Sequence, residues 1–393
     1  MINETLRIIS VDGGNKDIKA VMGSLGNAIR FPNILCPLPD ERQNLEDDYS
    51  SVKKEDKLTT QLKNLHFKVK SPSLGAEFHE KVFGAGELAM KNKKGRMEVP
   101  ERTVKATNDQ ILVMYLLVAA LDAINTKNRD WTNTIHYQAV LSAFLPIVDL
   151  KSKKQYKEKF LSRLKGKHEI QFLQMPGFEG TRIFITFTEI YVSPEGVAAV
   201  IDLAIPEETN AHIADTSLMS KKVLVNEIGG GTTEQPIVNK GGVPDKDESG
   251  GLRIGTSSYL DEIMKEISVV HESYEVSSRE KLIEYMQDLD KPYHIKVNGV
   301  PRGFKDIAER HLGSCAKRIF DEIDYKWKNV DDLEVALNIG GGSILLKPYL
   351  EKANNRKYPF QFVSDEKLVP FLNARGGWKI AQRKEEKKRL TVK

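Results

Sequence analysis

Residues 224–235 read LVNEIGGGTTEQ, a set of residue types that could hold a phosphate group. Val223, Leu224 and Val225 are apolar with β-propensity and read as a buried strand end. Glu227 puts a carboxylate at the strand tip. Gly229, Gly230 and Gly231 follow, and Thr232 and Thr233 close the turn. Consecutive glycines let backbone N–H groups approach an anion with no Cβ in the way, and neighbouring hydroxyls can bond phosphate oxygens. Pro236, Ile237 and Val238 read as a returning strand, so the expectation is a Gly-rich hairpin rather than a strand-to-helix phosphate loop. A plain tight turn between two strands accounts for this stretch alone equally well.

Two further stretches share the pattern. Residues 8–19, IISVDGGNKDIK, place Asp12 at a strand tip, then Gly13, Gly14 and Asn15, with Lys19 six residues past Gly13. Residues 335–346, VALNIGGGSILL, place Gly340, Gly341, Gly342 and Ser343 after an apolar run. Three such loops, two with a carboxylate at the strand tip, point to two half-domains facing one nucleotide. Lys19 would neutralise phosphate charge as a point cation. Asp12 and Glu227 would hold Mg²⁺ through water, because Mg²⁺ keeps several waters when one or two carboxylates bind it.

In order and kind the loops resemble those of the actin-like ATPase superfamily, as a first phosphate loop, a second phosphate loop and an adenosine loop. Within it the chain is most similar to bacterial plasmid-segregation actins of the ParM type. ITFTEIYVSPEG at 185–196 resembles the strand and Pro-Glu turn that carry the catalytic base of that group. SGGLRIGTSSYLDEI at 249–263 resembles the segment after the second phosphate loop, and FLNARGGWKIAQ at 371–382 the C-terminal helix signature. The resemblance implies an α/β fold of two domains, each a mixed sheet flanked by helices, with a nucleotide cleft between them. It implies a first domain over 1–203, joined again by a C-terminal helix over 366–393, and a second over 204–365. It also implies Glu195 as general base, with Glu189 as the alternative. Asp is usual in this superfamily at the position of Glu227, and the extra methylene alters the Mg²⁺ geometry.

The implied function is ATP or GTP hydrolysis with Mg²⁺, coupled to nucleotide-dependent filaments of this chain. Those filaments would segregate plasmid DNA through a DNA-bound adaptor protein, with no direct contact to nucleic acid and none to membrane, in the cytoplasm. A non-polymerising phosphotransferase of the sugar-kinase or exopolyphosphatase branch is the alternative. It would need a substrate pocket with a catalytic Asp in the second domain, and no such signature is present.

Composition fits this reading. The chain has 393 residues, 40% hydrophobic and 29% charged, ordinary for a globular protein large enough for two domains. A formal charge of +4 is too small to argue for nucleic-acid binding. Two cysteines, Cys36 and Cys315, make no disulfide framework and fit a reducing compartment. The eight histidines lack metal-ligand spacing. The N-terminus lacks a signal-peptide core, and the longest apolar run, 111–121, is too short to span a bilayer.

Several elements must position these loops. Residues 6–35 read as a β-meander. Residues 39–64 are nearly all polar and read as an exposed mobile insertion. Residues 108–125 are apolar on most faces, which marks a buried helix capped by Asn108 or Thr107. Residues 149–164 read as a basic helix. Ser193 suits an N-cap and Pro194 a first helical position, which places Glu195 in the first turn of a helix over 197–203. Helices are also expected over 252–267, 281–286 and 304–327, and the charged tail is expected to fray past Arg383.

Overall fold

A computed structural model of the chain describes residues 6–41, 57–92, 95–100, 103–126, 133–152, 154–206, 215–271 and 274–391. It divides into two compact units, Met1–Asp215 with Phe371–Lys393, and Thr216–Pro370.

The first unit begins with the expected meander, β1 (Ile8–Gly13), β2 (Asp17–Met22) and β3 (Ala28–Pro32), each antiparallel to the next. Next come β4 (Ile34–Pro37), α1 (Lys57–Lys63), β5 (His66–Lys70), β6 (Lys81–Ala85), α2 (Gly86–Lys91) and β7 (Met97–Glu98). A single 3₁₀ turn, Lys105–Thr107, leads into α3 (Asp109–Thr126), then β8 (Thr134–Leu145), α4 (Ile147–Ser152), α5 (Lys154–Leu164), β9 (His168–Phe172), β10 (Arg182–Pro194) and α6 (Val197–Ala204). The ten strands form one mixed sheet in the order β3-β2-β1-β8-β10-β9-β5-β6-β4-β7, with β8 parallel to both β1 and β10. α3 is long and apolar enough to cross a membrane, but 83% of it is buried within the unit. It is buried from Gln110 to Ile124, a core helix of the kind all-round apolarity implies.

The second unit carries β11 (Val223–Ile228), β12 (Thr233–Asn239), β13 (Val243–Leu252), α7 (Thr256–Val270), α8 (Arg279–Gln287), the ribbon β14 (His294–Val297) and β15 (Val300–Gly303), then α9 (Lys305–Asn329), β16 (Val335–Ile339), α10 (Gly341–Asn354) and β17 (Phe360–Phe362). Its main sheet runs β13-β12-β11-β16-β17, with β11, β16 and β17 parallel. The final helix, α11 (Leu372–Thr391), belongs to the first unit.

Four expectations change. Residues 42–56 of the polar insertion lie outside the described residues, and Lys57–Lys63 form a helix with Gln61 buried. The basic segment is two helices beginning at Ile147. The helix expected from Leu252 starts at Thr256, because Leu252 still pairs with Thr233 in the sheet. The tail does not fray past Arg383: α11 stays helical to Thr391. There Lys388 pairs with Glu189 at 2.9 Å, Glu385 accepts a hydrogen bond from Tyr191, and Lys384 lies over the Tyr191 ring at 4.5 Å.

The Asn-Ala-Arg-Gly-Gly segment of α11 locks this helix onto α6. Asp202 is fully buried between two cations, with Arg375 at 2.9 Å and Lys379 at 2.6 Å. Lys379 also donates to the carbonyls of Asp202 and Ile205, both at 2.9 Å. Gly376 sits so close to α6 that a Cβ there would lie 1.8 Å from the carbonyl oxygen of Ala198. Backbone cannot retreat as a side chain can, so Gly376→Ala is expected to destabilise the protein by about 1–3 kcal/mol in chemical denaturation, the usual cost of overpacking. Gly26→Ala, whose Cβ would meet nothing within 4 Å, is the control and is expected to change stability by less than about 0.5 kcal/mol.

Candidate active site

In the first unit, the antiparallel register of β1 and β2 sets Asp12 directly opposite Lys19. Their side chains share one face of the hairpin, with Lys19 Nζ 3.8 Å from Asp12 Oδ2. The spacing that looked like loop grammar in the sequence is thus a cross-strand pair. The turn between them is held from outside. Asn33 Nδ2 donates to the carbonyl of Gly14 at 2.8 Å, and Gln110 Nε2 donates to the carbonyl of Asn33 at 2.9 Å. The Tyr115 ring packs on Gly13. Asn15 Oδ1 is buried in this turn with no hydrogen-bond partner. A buried acceptor of that kind suits a water of a hydrated cation, and so does the Asp12 carboxylate, only 4% exposed. Asp12 and Asn15 therefore fit Mg²⁺ held through water.

Glu195 belongs to the same cluster, in the turn between β10 and α6. A register shift at Phe187/Glu189 lets β10 continue alongside β8 until Pro194 pairs with Leu145, and Glu195 N–H then donates to the Leu145 carbonyl at 3.1 Å. Ser193 and Pro194 are therefore strand residues rather than a helix cap. Gly196, at φ 77°, is the N-cap, so Glu195 lies ahead of the helix rather than in its first turn. Gly196 N–H donates to Asn373 Oδ1 at 3.0 Å, tying this turn to α11. Glu189, the alternative base, is exposed and paired with Lys388.

The Glu195 carboxylate is 7% exposed and accepts a hydrogen bond from Lys105 Nζ. Burial pushes the Glu195 carboxyl above its usual range, and Asp12 adds to this, while Lys105 and Lys19 oppose it. For Lys105, burial disfavours the charge, but Glu195 and Asp12 outweigh burial and raise its pKa. Burial, reinforced by Asp12, raises the Tyr115 phenol, which stays neutral. Asp12, Lys19, Lys105 and Glu195 thus form a cluster of two anions and two cations around one strand turn. Sequence reading missed Lys105, Tyr115, Asn33 and Gln110. None has a motif spacing: Asn33 comes in just past the end of β3, its N–H on the Lys16 carbonyl at 2.8 Å, and the packing of α3 against β1 brings in the others. Asn373 lay within the C-terminal signature, where its type was legible but its partner was not.

In the second unit, Gly229–Thr232 form the expected hairpin turn, closed by Gly229 N–H donating to the Thr232 carbonyl at 2.8 Å. Glu227 pairs with Glu234 across the hairpin and with Ile339 of β16. Glu234, 5% exposed, is a second carboxylate that sequence reading passed over. Thr256 N–H donates to the Gly229 carbonyl at 3.1 Å and Ser257 N–H to the Gly230 carbonyl at 2.8 Å, so the N-terminus of α7 is docked on the glycine turn. Gly255 permits this approach, since a Cβ there would stand 2.3 Å from the Gly230 carbonyl oxygen. The third loop turns from strand to helix. Gly340 takes φ 81°, with its backbone against Ile228, Gly342 is buried on Ile228, and Gly341 is exposed with open space around it.

Two hydroxyls expected at a ligand are turned to the protein's own backbone. Thr233 is fully buried and Oγ1 donates to the Ile254 carbonyl at 2.8 Å. Ser343 Oγ donates to the Gly340 carbonyl at 2.8 Å. Thr232 is half-buried on the turn. Among the described residues, no group of three or more His, Cys, Asp or Glu could hold a metal.

A family model for the N-terminal domain of actin-like proteins matches residues 10–197, and one for the C-terminal domain of archaeal MreB-like actin homologues matches residues 225–352. No curated protein matches the chain. Among solved structures, Bacillus thuringiensis ParM with AMPPNP aligns at TM-score 0.71 and 20% identity, over 97% of this chain and 100% of that one. The pCBH ParM non-polymerisable quadruple mutant aligns at 0.65 and 18%, over 96% and 100%. An archaeal actin homologue aligns at 0.67 and 17%, over 96% and 100%. These likenesses carry the fold.

The hydroxyl geometry of the second unit is testable. Thr233→Val leaves the Ile254 carbonyl without its donor in a buried site and is expected to destabilise by about 1–3 kcal/mol in denaturant unfolding. Thr232→Val is expected to fall within about 0.5 kcal/mol of the parent.

Proposed function

The chain belongs to the actin-like proteins, and on that premise we propose that it binds Mg²⁺-ATP and hydrolyses it. The observation that carries this reading is Glu195, a buried carboxylate gathered into one cluster with the strand-tip Asp12 and with Lys19. Perturbed, buried ionisable groups gathered in this way are candidates for a functional centre. The match to ParM solved with AMPPNP supports a nucleotide as the ligand.

In this reading each unit carries phosphate-binding groups of its own. Lys19 neutralises phosphate charge, and the turn at Gly13 and Gly14 approaches with its backbone. Gly230, Gly231 and Thr232 supply further N–H groups, while Gly229 keeps the hairpin closed. Gly341, exposed at the start of α10, is where the backbone of the third loop is open to an adenosine. Asp12, with Asn15 in the same turn, would hold Mg²⁺ through water, and Glu227 is the carboxylate at the matching strand tip of the second unit; Mg²⁺ would supply charge neutralisation on the transferring phosphate. Glu195 accepts the proton of the attacking water. Tyr115, kept neutral, shapes the turn rather than titrating.

We further propose that ATP drives assembly of this chain into filaments, and that the filaments move plasmid DNA through an adaptor that binds the DNA. The whole-length likeness to ParM chains supports this, one of them described as a non-polymerisable mutant.

Three outcomes are expected. Asp12→Ala weakens Mg²⁺-ATP binding in calorimetry while the fold survives; unchanged affinity would remove the nucleotide site. Glu195→Gln still binds ATP but hydrolyses it at least about a hundredfold more slowly, the scale of a lost general base. Turnover in the parent falls as the pH drops through the pKa of Glu195, and this acid limb lies above the usual glutamate value of about 4.3, because burial raises it. Light scattering rises on ATP addition only above a critical protein concentration. Monomers at high concentration with ATP and with a slowly hydrolysed analogue would favour a non-polymerising phosphotransferase instead.

A further inference from the structure

The reading above gives a task to every charged member of the cluster except Lys105. This lysine is 9% exposed, sits in the 3₁₀ turn that opens α3, and donates to Glu195. Its backbone is fixed from both sides, because Asn108 N–H donates to the Lys105 carbonyl at 3.3 Å and the Ala106 carbonyl accepts from Arg163 at 3.2 Å. Arg163 in turn pairs with Asp109 at the start of α3. A lysine side chain usually retains much rotamer freedom; here its base is pinned and its head is paired.

We propose that Lys105 is a positioning residue for Glu195: its ammonium holds the carboxylate ionised and in one orientation, ready to take the proton of the attacking water. The proposal rests on Glu195 being the base. Glu195 is faced by Lys105 ahead of α3, by Asp12 on β1 and by Lys19 on β2. Burial and Asp12 both favour its neutral form, and of the groups facing it Lys105 is the strongest in the opposite direction. Lys19 opposes the neutral form as well, but more weakly, and it is paired with Asp12 across the hairpin. Without Lys105 the carboxylate would be left buried beside another anion. It would then hold its proton, and a protonated glutamate accepts none.

The test is a double-mutant cycle in kcat, with ATP affinity measured in parallel by calorimetry, on Lys105→Met, Lys105→Arg, Glu195→Gln and the Lys105→Met/Glu195→Gln pair. Lys105→Met is expected to lower kcat by at least about tenfold, within the range of a compromised general base, while ATP affinity stays within a few-fold. Lys105→Arg is expected to recover most of the rate, because it restores a cation to the carboxylate. Adding Lys105→Met to Glu195→Gln is expected to cost no further rate, since a residue acting through Glu195 has nothing left to act on. A purely structural lysine, or one acting directly on phosphate, would give losses that add, and that result overturns the proposal. So does wild-type turnover in Lys105→Met. If that variant does not fold, Lys105→Gln takes its place with the same two criteria. Wild-type turnover in Glu195→Gln would instead sink the base assignment itself, so the two failures are distinguishable.

Discussion

A carboxylate removed from water stays ionised only beside a cation, and the first unit is arranged around that constraint. Glu195 meets it with Lys105, Asp12 with Lys19, and Asp202 with Arg375 and Lys379. Breaking such a pair by removing one partner typically costs about 3–5 kcal/mol, because an uncompensated charge is left behind. The pairs of Glu195 and Asp12 belong to one cluster. The third is different: it anchors α11 to α6, whose preceding turn carries Glu195. One buried ion cluster thus holds the frame, and the other is the proposed site of the chemistry.

The close backbone approaches serve the same end. Gly376 brings α11 against the backbone of α6, and Asn373 takes the N–H of Gly196. Together they tie the turn bearing Glu195 to α11. In the second unit, Gly255 brings the N-terminus of α7 onto the carbonyls of Gly229 and Gly230. The first two N–H groups of that helix are thereby satisfied by the loop.

Much of this was legible in the chain because it is written locally. A strand tip, a carboxylate and a run of glycines announce a turn, and all three loops fall where that grammar places them. α3 announced its burial by having no polar face. What was illegible is set by contacts between distant segments. Lys105 has no periodic or motif signal, and only the packing of α3 against β1 carries it to Glu195, 90 residues away. The hydroxyls of Thr233 and Ser343 looked like ligand groups, yet a sequence cannot say whether a hydroxyl faces a phosphate or its own backbone, and both face backbone. Ser193 and Pro194 suit a helix cap by type, but pairing with β8 keeps them in the strand. The end of α11 past Arg383 reads as a charged, fraying tail until Tyr191 and Glu189 of β10 are seen beneath it.

We propose the ion cluster at the β1–β2 turn as the place where a nucleoside triphosphate is cleaved. A structure of the chain with Mg²⁺ and a non-hydrolysable ATP analogue tests it most directly. Expected are a hydrated magnesium ion whose waters hydrogen-bond to Asp12, the phosphates beside Lys19, and an ordered water between Glu195 and the terminal phosphate. An analogue bound away from the β1–β2 turn, or a terminal phosphate with no water linking it to Glu195, would contradict it.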